Sequence, residues 1–211
     1  VNKPAGVPVH PDAHITEGTV IQEIQKTYPA AQLAHRLDKD TSGLLLVAKD
    51  EHAYEYLKEL FKNREIKKTY IAVVVGVISK NEGEITLPIA RSTKDFRKRV
   101  ASPRTADGSR PAETHFTVLQ RFPKSNYTLL EVHPKTGRTH QIRSHLASIG
   151  HPVACDKLYG GRRYSCPMGL NRQFLHAAGL EFADRNGKRI RVEAGLPDEL
   201  QRTIDTCERL E

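Results

Sequence analysis

The sequence has 211 residues, of which 38% are apolar, so it can form one compact domain with a sizeable core. Its longest apolar stretches fall far short of the roughly 20 residues that span a bilayer, which excludes a helical membrane protein. The 33 Lys and Arg outnumber the 25 Asp and Glu, giving a formal net charge of +8. This charge favours a polyanionic partner such as a nucleic acid, because basic side chains that bind phosphates release counterions.

The beginning of the chain and its cysteines predict a cellular setting. No charged and then apolar leader opens the sequence, so we expect no secretory signal. Cys155, Cys166 and Cys207 are odd in number and lack C-x-x-C spacing. We therefore expect neither a disulfide nor a zinc knuckle, and a reducing, cytoplasmic location. Nothing in the sequence indicates an obligate protein partner.

Short helices and strands are predicted for the first part of the chain. Thr16 is suited to cap a short helix that ends before Pro29. The apolar run 44–49 predicts a strand that buries both faces. The segment 51–63 predicts an amphipathic helix, because its apolar residues recur at i, i+4, i+7 and i+8. The β-branched run 67–78 predicts another strand.

The second part of the chain begins with a basic segment. Residues 91–111 are punctuated by Pro and Gly and rich in cations, which predicts an exposed basic hairpin or loop. Strands are predicted over 112–122 and 126–133. A helix capped by Thr139 follows, and a last helix covers 197–210. Strands and helices without a regular βαβ rhythm predict an α+β fold.

Asp38 is the first candidate for chemistry. It lies in AHRLDKDTSGLLLVAKD (34–50), among cations and directly before the apolar run. The simpler interpretation is a loop carboxylate that caps a turn or pairs with Arg36. Asp40 is a rival, although its position before Thr-Ser-Gly suits a turn better. A buried Asp38 needs a cationic partner to stay ionised, and Arg143 on the predicted helix is a candidate.

Other residue types narrow the chemistry. Tyr70 begins a buried strand, where it is either a half-buried aromatic or a ring that stacks on a nucleobase and moves a proton. The ten histidines lack spacing that completes a metal site; His140 and His145, for example, are five residues apart. No phosphate-binding glycine motif is present. We therefore expect no metal and no cofactor, and a reaction that uses side chains alone.

Five segments carry a common signature: VNKPAGVPVHP, HRLDKDTSGLLLVAK, KKTYIAVVVG, KTGRTHQIRSHLASIGHPVACDKLYG and FLHAAGLEF. In this order they resemble the RluA-type family of RNA pseudouridine synthases, over essentially residues 1–200. The resemblance implies a single catalytic domain over 1–211, with a central mixed, mainly antiparallel sheet flanked by helices. The small S4-like RNA-binding domain that many relatives carry in front is not expected within these residues: either the protein never had one, or this sequence begins after it. Ala154 and Cys155 replace the usual Val-Gly pair, so we expect a slightly different turn.

The resemblance implies a cofactor-free isomerisation of uridine to pseudouridine in RNA, with ribosomal RNA the first expectation and transfer RNA the second. Asp38 matches the catalytic aspartate, Tyr70 the active-site tyrosine and Arg143 the basic residue that pairs with the aspartate. Leu175 matches an apolar wall of the pocket, and Arg36 matches an arginine that fills the stack behind a flipped base. Further substrate contacts are expected from His35, Arg138, His140, Gln141, Arg97, Lys98 and Arg99.

Two other classes of function are weighed against this one. A catalytically idle RNA-binding or chaperone module would keep the fold, but it would have no chemical need for Asp38, Tyr70 and Arg143 together. A nuclease that uses His and Asp would shorten RNA, and the lack of metal-ligand spacing disfavours it.

Overall fold

A computed structural model of the protein describes residues 1–11, 16–103, 108–167 and 169–211. The described strand pairs are antiparallel, and the helices are interspersed among runs of strands without a regular alternation, which confirms the predicted α+β class. Within these residues, the helices are all too short or too polar to cross a membrane. The elements along the chain are β1 (Asn2–Lys3), α1 (Val20–Gln25), β2 (Gln32–Leu33), β3 (Ser42–Leu44), β4 (Val47–Ala48), α2 (Glu51–Lys62), β5 (Lys67–Val75), β6 (Glu82–Ile85), β7 (Ile89–Arg91), β8 (Arg99–Ala101), β9 (Thr114–Phe122), β10 (Tyr127–Pro134), α3 (Gln141–Ser148), β11 (Leu175–Ala183), β12 (Arg189–Glu193) and α4 (Asp198–Leu210).

The chain divides into two compact units. Unit 1 comprises Val1–Lys68 and Ala177–Gly195, and unit 2 comprises Thr69–His176 and Leu196–Glu211. The strands β5 and β11 therefore contribute residues to both units. That residues 1–211 act as one catalytic domain stays a prediction.

Unit 1 is built from α2 and short strands. Asp50 caps α2 by accepting a hydrogen bond from the Ala53 N–H at 2.8 Å, as a residue at this position should. The apolar face of α2 packs in a core with β3 and β4. At Gly43 the backbone has φ +112°, and a Cβ there would collide with the carbonyl of Ala177. Only glycine fits that close approach of the two strands.

Unit 2 contains the larger core, on one side of the antiparallel strands β5, β10, β9 and β6. Residues alternate across each strand, so Phe116 is buried while its neighbours His115 and Thr117 face outward. The helix α4 covers this core with the residues that its sequence periodicity predicted: Leu200, Ile204 and Cys207.

Two predicted element boundaries in unit 1 are wrong. The cap of α1 is Thr19, not Thr16, because the Thr19 N–H and hydroxyl both reach the Gln22 side chain, at 3.1 and 2.9 Å. The predicted strand 44–49 is two short strands. β3 pairs with β1 and β4 with β2, so the chain turns between them to reach different partners.

The start of α3 also differs from the prediction. The N-cap is His140, not Thr139, and its backbone is left-handed with φ +55°. No side chain of the cap residue bonds to the helix. The Gln141 side chain accepts a hydrogen bond from the Arg138 N–H at 3.0 Å, which fixes the turn that leads into the helix.

The prediction that the cysteines form no disulfide is wrong. Cys155 and Cys166 are bonded to each other, and Cys207 is buried and free. The chain turns between them through a 3-10 turn at Gly161–Arg163, and the Cys155 N–H donates to the Ser165 carbonyl at 2.7 Å. Sequence spacing alone does not indicate this return of the chain. Cys155 has φ +59°, a conformation that the glycine expected at this position adopts without strain.

Residues 91–111 form the predicted basic hairpin in the part that the structure describes. β7 pairs with β8, so that Arg91 lies opposite Arg99. Residues 104–107 of this segment lie outside the described residues.

Candidate active site

The predicted catalytic residues are divided between the two units. Asp38 belongs to unit 1, whereas Tyr70 and Arg143 belong to unit 2. Each half of the predicted site has a defined environment within its own unit. That the two halves meet around one substrate stays a prediction.

The loop that carries Asp38 is held on both sides of that residue. The Lys39 carbonyl accepts hydrogen bonds from the Lys3 ammonium at 2.8 Å and from the Gly6 N–H at 3.0 Å. The Asp38 carbonyl accepts from the Thr41 N–H at 3.0 Å. Asp38 itself is partly buried, between the buried Leu37 and the exposed Lys39. Its backbone is therefore fixed in a turn while its side chain lies near the surface of unit 1.

The buried side chain of Lys3 holds the Asp38 loop through hydrogen bonds. Its side chain is 1% exposed, and the ammonium donates to the carbonyls of Pro4, Val7 and Lys39 at 2.7, 2.9 and 2.8 Å. A buried ammonium is tolerated only when its donors are satisfied, and these three acceptors match the three N–H groups of a lysine. The opening segment of the chain therefore determines where the loop of Asp38 lies.

His35 holds the other end of the loop. Its Nε2 accepts a hydrogen bond from the Leu46 N–H at 2.9 Å, and its ring lies 4.9 Å from that of Phe61. Burial, with smaller contributions from the positive charges of Lys68 and the chain N-terminus, lowers the pKa of His35 to about 3. The ring is therefore neutral at pH 7, as an Nε2 acceptor must be.

We expect His35 to make the protein sensitive to acid. Its folded-state pKa lies below its ordinary value of 6.5, so its stabilising contribution is complete above pH 6.5 and declines as the pH falls toward 3. At pH 4.5 the loss is on the order of 2–3 kcal/mol. His35→Gln, whose amide oxygen can accept the Leu46 N–H, should lose less free energy of unfolding between pH 7 and 4.5. Urea titrations at both pH values measure this, with the exposed His52→Gln as control. Equal losses in wild type and His35→Gln would contradict it.

Arg143 makes a buried ion pair within unit 2. Its Nε and Nη2 donate to Oδ2 and Oδ1 of Asp156 at 2.6 and 2.9 Å. The side chains of Arg143 and Asp156 are 8% and 0% exposed. This two-point pairing fixes the plane of the guanidinium and uses two of its five N–H groups. Asp156 was missed from the sequence, because it lies 13 positions away in a segment without helix or strand periodicity.

Tyr159 connects the ion pair to the basic hairpin. Its ring lies 5.1 Å from the Arg143 guanidinium carbon, and its hydroxyl accepts the Arg99 N–H at 2.8 Å. The same hydroxyl contacts Nδ1 of His140 at 3.0 Å. Asp156 in turn accepts the Tyr159 N–H at 3.0 Å. One aromatic residue thus joins strand β8, the start of α3 and the Arg143–Asp156 pair, although nothing in the sequence singled it out.

The buried side chain of Gln141 organises the start of α3. Its amide nitrogen donates to the Glu113 carbonyl at 2.8 Å and the Thr114 hydroxyl at 3.0 Å, and its oxygen accepts from Thr136 at 2.6 Å. The Thr114 hydroxyl continues to Nδ1 of His145 at 2.9 Å. Burial lowers the pKa of His145, so this fully buried imidazole is neutral. The network holds the helix that carries Arg143; substrate contact by Gln141 stays a prediction.

The other predicted site residues occupy different environments. Tyr70 is partly buried on β5, opposite Val132, and packs against the core of unit 2. Leu175 is 3% exposed in the same core. Arg36 is exposed in unit 1, and Arg138 donates through Nε to the Pro111 carbonyl at 3.1 Å. Their roles toward a substrate stay predictions.

The tip of the basic hairpin presents an aromatic side chain. Phe96 is 71% exposed between the β7 and β8 strands. Arg97 is paired with Asp95 through two hydrogen bonds of 2.9 Å, which lowers the pKa of Asp95 to about 2. The Phe96 carbonyl accepts from Arg91 Nε at 3.2 Å, so the turn has a defined conformation. Sequence analysis noted the cations of this segment and overlooked Phe96.

A comparison with known protein families establishes the family of the chain. Residues 1–148 match the family described as RNA pseudouridylate synthase. The chain belongs to the RNA pseudouridylate synthase family. The matched residues include Asp38, Tyr70 and Arg143. The family predicted from the sequence is thereby confirmed.

Relatives in this family match most of the chain. An uncharacterized RNA pseudouridine synthase of Bacillus subtilis, YlyB, is 40% identical over 220 residues, with 99% of this chain and 69% of the relative covered. The ribosomal large subunit pseudouridine synthase C of Escherichia coli O157:H7 is 38% identical over 213 residues, with 97% and 65% covered. The ribosomal large subunit pseudouridine synthase C of Haemophilus ducreyi is 38% identical, and this chain spans 57% of it. The chain thus spans between 57% and 69% of the length of these three relatives.

Solved structures give the same fold. The human RNA pseudouridylate synthase domain containing 1 matches this chain with a TM-score of 0.78 and 28% identity. The match covers 98% of this chain and 82% of the human chain.

Proposed function

We propose that this chain converts uridine to pseudouridine in structured RNA, with ribosomal RNA as the first candidate and transfer RNA as the second. The family match carries the proposal, since it includes the three positions predicted to be catalytic. Relatives named as ribosomal large subunit synthases support ribosomal RNA. The proposed reaction needs no cofactor, because the bonds it breaks and forms belong to one nucleotide.

Asp38 is the proposed catalytic carboxylate. In the reaction the N1–C1′ bond breaks, the uracil turns, a C5–C1′ bond forms, the C5 proton leaves and N1 takes up a proton. Asp38 either attacks C1′ or removes the 2′ proton, and both routes need an anion at a fixed position. The anchoring of its loop by Lys3 and Gly6 supports this role, because a nucleophile is effective only when it is held in place.

Arg143 is the proposed partner that keeps Asp38 ionised. A carboxylate in a dry pocket would take up a proton without a neighbouring cation. Asp156 orients the guanidinium through Nε and Nη2. We propose that other N–H groups of Arg143 bind Asp38. Asp156 is then a positioning residue, which acts on the reaction through Arg143.

Tyr70, Leu175 and Arg36 complete the proposed site. The Tyr70 ring stacks on the uracil, and its hydroxyl helps to remove the C5 proton. Leu175 gives the pocket an apolar wall. Arg36, an exposed side chain, occupies the gap that the flipped base leaves in the RNA and so offsets part of the cost of unstacking. Contacts of His35, Arg138, His140 and Gln141 with RNA belong to the same proposal.

The hairpin of β7 and β8 is the proposed RNA grip. Arg97, Lys98 and Arg99 supply positive charge for phosphates, which gives affinity without choice of sequence. The exposed Phe96, directly before these cations in the chain, offers a flat apolar surface for an unpaired base. The hairpin therefore combines two kinds of contact that differ in their dependence on salt.

We expect the two kinds of contact to separate experimentally. Phe96→Ala should weaken RNA binding about 5- to 100-fold without changing the slope of log K against log salt, because stacking releases no counterions. Neutralising Arg97, Lys98 and Arg99 together should reduce that slope by about 2. The control is Leu119→Ala, a similarly exposed apolar residue on β9. An unchanged slope in the triple variant would place the RNA elsewhere, and equal effects of Phe96→Ala and Leu119→Ala would contradict stacking.

The direct test of the function is tritium release from unmodified RNA labelled at C5 of uridine. Pseudouridine formation expels the C5 hydrogen, so we expect release from ribosomal RNA and the RNA to keep its full length. Tritium release from transfer RNA alone would make transfer RNA, and not ribosomal RNA, the proposed substrate. No release from either pool would contradict the proposal, and shortened RNA would favour a nuclease.

A further inference from the structure

Two short motifs of the same form lie side by side in unit 2. Glu113 and His115 form the first, in ETH, and Glu131 and His133 form the second, in EVH. Strands β9 and β10 are antiparallel, and His115 lies opposite His133. Residues two apart on a strand share a face, so all four side chains lie on the outer face of the sheet. The mechanism proposed above uses none of them.

A third carboxylate joins the first motif from the neighbouring strand. Glu84 on β6 lies opposite His115 in the register of the sheet. The His115 Nε2 is 2.9 Å from Glu113 Oε1 and 3.8 Å from Glu84 Oε1. One possible ligand atom from each of Glu84, Glu113 and His115 lies within 4.8 Å of the other two. Among the residues that the structure describes, no other set of three His, Cys, Asp or Glu side chains meets this distance. The prediction of no metal site counted His115 among the histidines without suitable spacing, and Glu84 lies 31 positions from it along the chain.

The two carboxylates of this group place negative charge around one imidazole nitrogen. The Nε2 of His115 carries at most one hydrogen, so a neutral ring can donate to only one of the two carboxylates through it. The carboxylates of Glu84 and Glu113 converge on that nitrogen and repel each other. A cation between the three ligand atoms would neutralise both charges at once. The side chains are between 33% and 55% exposed, so an ion can reach them from solvent.

We propose that Glu84, Glu113 and His115 bind a divalent transition-metal ion of the zinc type. One imidazole with two carboxylates is a donor set for zinc, whereas magnesium and calcium prefer oxygen ligands alone. Water completes the coordination, since the protein supplies three ligands. The ion would tie the edge strand β6 to β9 and stabilise unit 2. This site is independent of the proposed function.

The test is titration of the metal-free protein with zinc chloride, followed by calorimetry and by the thermal midpoint of unfolding. We expect one zinc ion per chain and a higher midpoint with zinc. Glu84→Gln, Glu113→Gln and His115→Gln should each weaken binding by about tenfold or more. His133→Gln is the matched control, because it changes the neighbouring Glu-x-His pair and should bind zinc like wild type.

Three results would overturn the site. The first is the absence of saturable zinc binding by the wild-type protein. The second is zinc binding that all three glutamine substitutions leave unchanged, and the third is zinc binding that His133→Gln weakens as much as His115→Gln. Circular dichroism of each variant without zinc confirms that it is folded, so a loss of binding reports on the ligands. Magnesium chloride in place of zinc should leave the midpoint unchanged.

Discussion

Asp156→Asn is expected to lower the free energy of unfolding by about 3–5 kcal/mol. The substitution keeps the shape of the side chain but removes the charge that faces the buried Arg143 guanidinium. An unpaired buried cation is costly, because water no longer solvates it. The same oxygen that binds Arg143 Nη2 also accepts the Leu158 and Tyr159 N–H groups at 3.0 Å, so the following turn is weakened too.

Urea denaturation measures this loss of stability. Two further variants show whether it comes from the buried ion pair. Asp198→Asn is the control, because its 93% exposed side chain is 3.8 Å from Arg202 and should change stability by less than about 0.5 kcal/mol. The double variant Asp156→Leu with Arg143→Met replaces the buried pair by apolar side chains and should recover part of the stability, because the Leu158 and Tyr159 N–H groups still lose their acceptor. The double variant should nevertheless be inactive in tritium release, since Arg143 is the proposed partner of Asp38. Equal losses in Asp156→Asn and Asp198→Asn would contradict the importance of the buried pair.

Local sequence patterns predicted the elements that depend on local contacts. The spacing of Leu200, Ile204 and Cys207 predicted the buried face of α4, and that of Leu57 and Leu60 predicted α2. Both helices follow from one amphipathic face, which the sequence displays directly. The motif that contains Asp38 identified the family for a similar reason, because its residues are contiguous.

Features that depend on distant partners were missed. Asp156 meets Arg143 only because the chain after α3 turns back toward the helix, and no periodicity encodes that turn. The Cys155–Cys166 bond depends on the same turn. Glu84 reaches His115 through strand pairing, which spacing along the chain does not reveal. The helix α3 begins after His140 and not after Thr139, and the side chain of its first residue, Gln141, bonds to Glu113 and Thr114, which are distant in sequence.

The central claim of the account is that Asp38 is the catalytic carboxylate. Asp38→Asn preserves size and removes the anion, so it should reduce the rate of tritium release by at least about a thousandfold. Asp40→Asn is the matched control, two positions away in the same partly buried loop and without a proposed role in the reaction. It should keep the wild-type rate within about threefold, as expected for a residue that does not touch the reacting atoms.

The most direct measurement is therefore the single-turnover rate of tritium release from C5-labelled ribosomal RNA by wild type, Asp38→Asn and Asp40→Asn, each shown by urea denaturation to be folded. The account predicts release by wild type and Asp40→Asn and none above background by Asp38→Asn. Release by Asp38→Asn at the wild-type rate, or its loss in Asp40→Asn alone, would contradict the account.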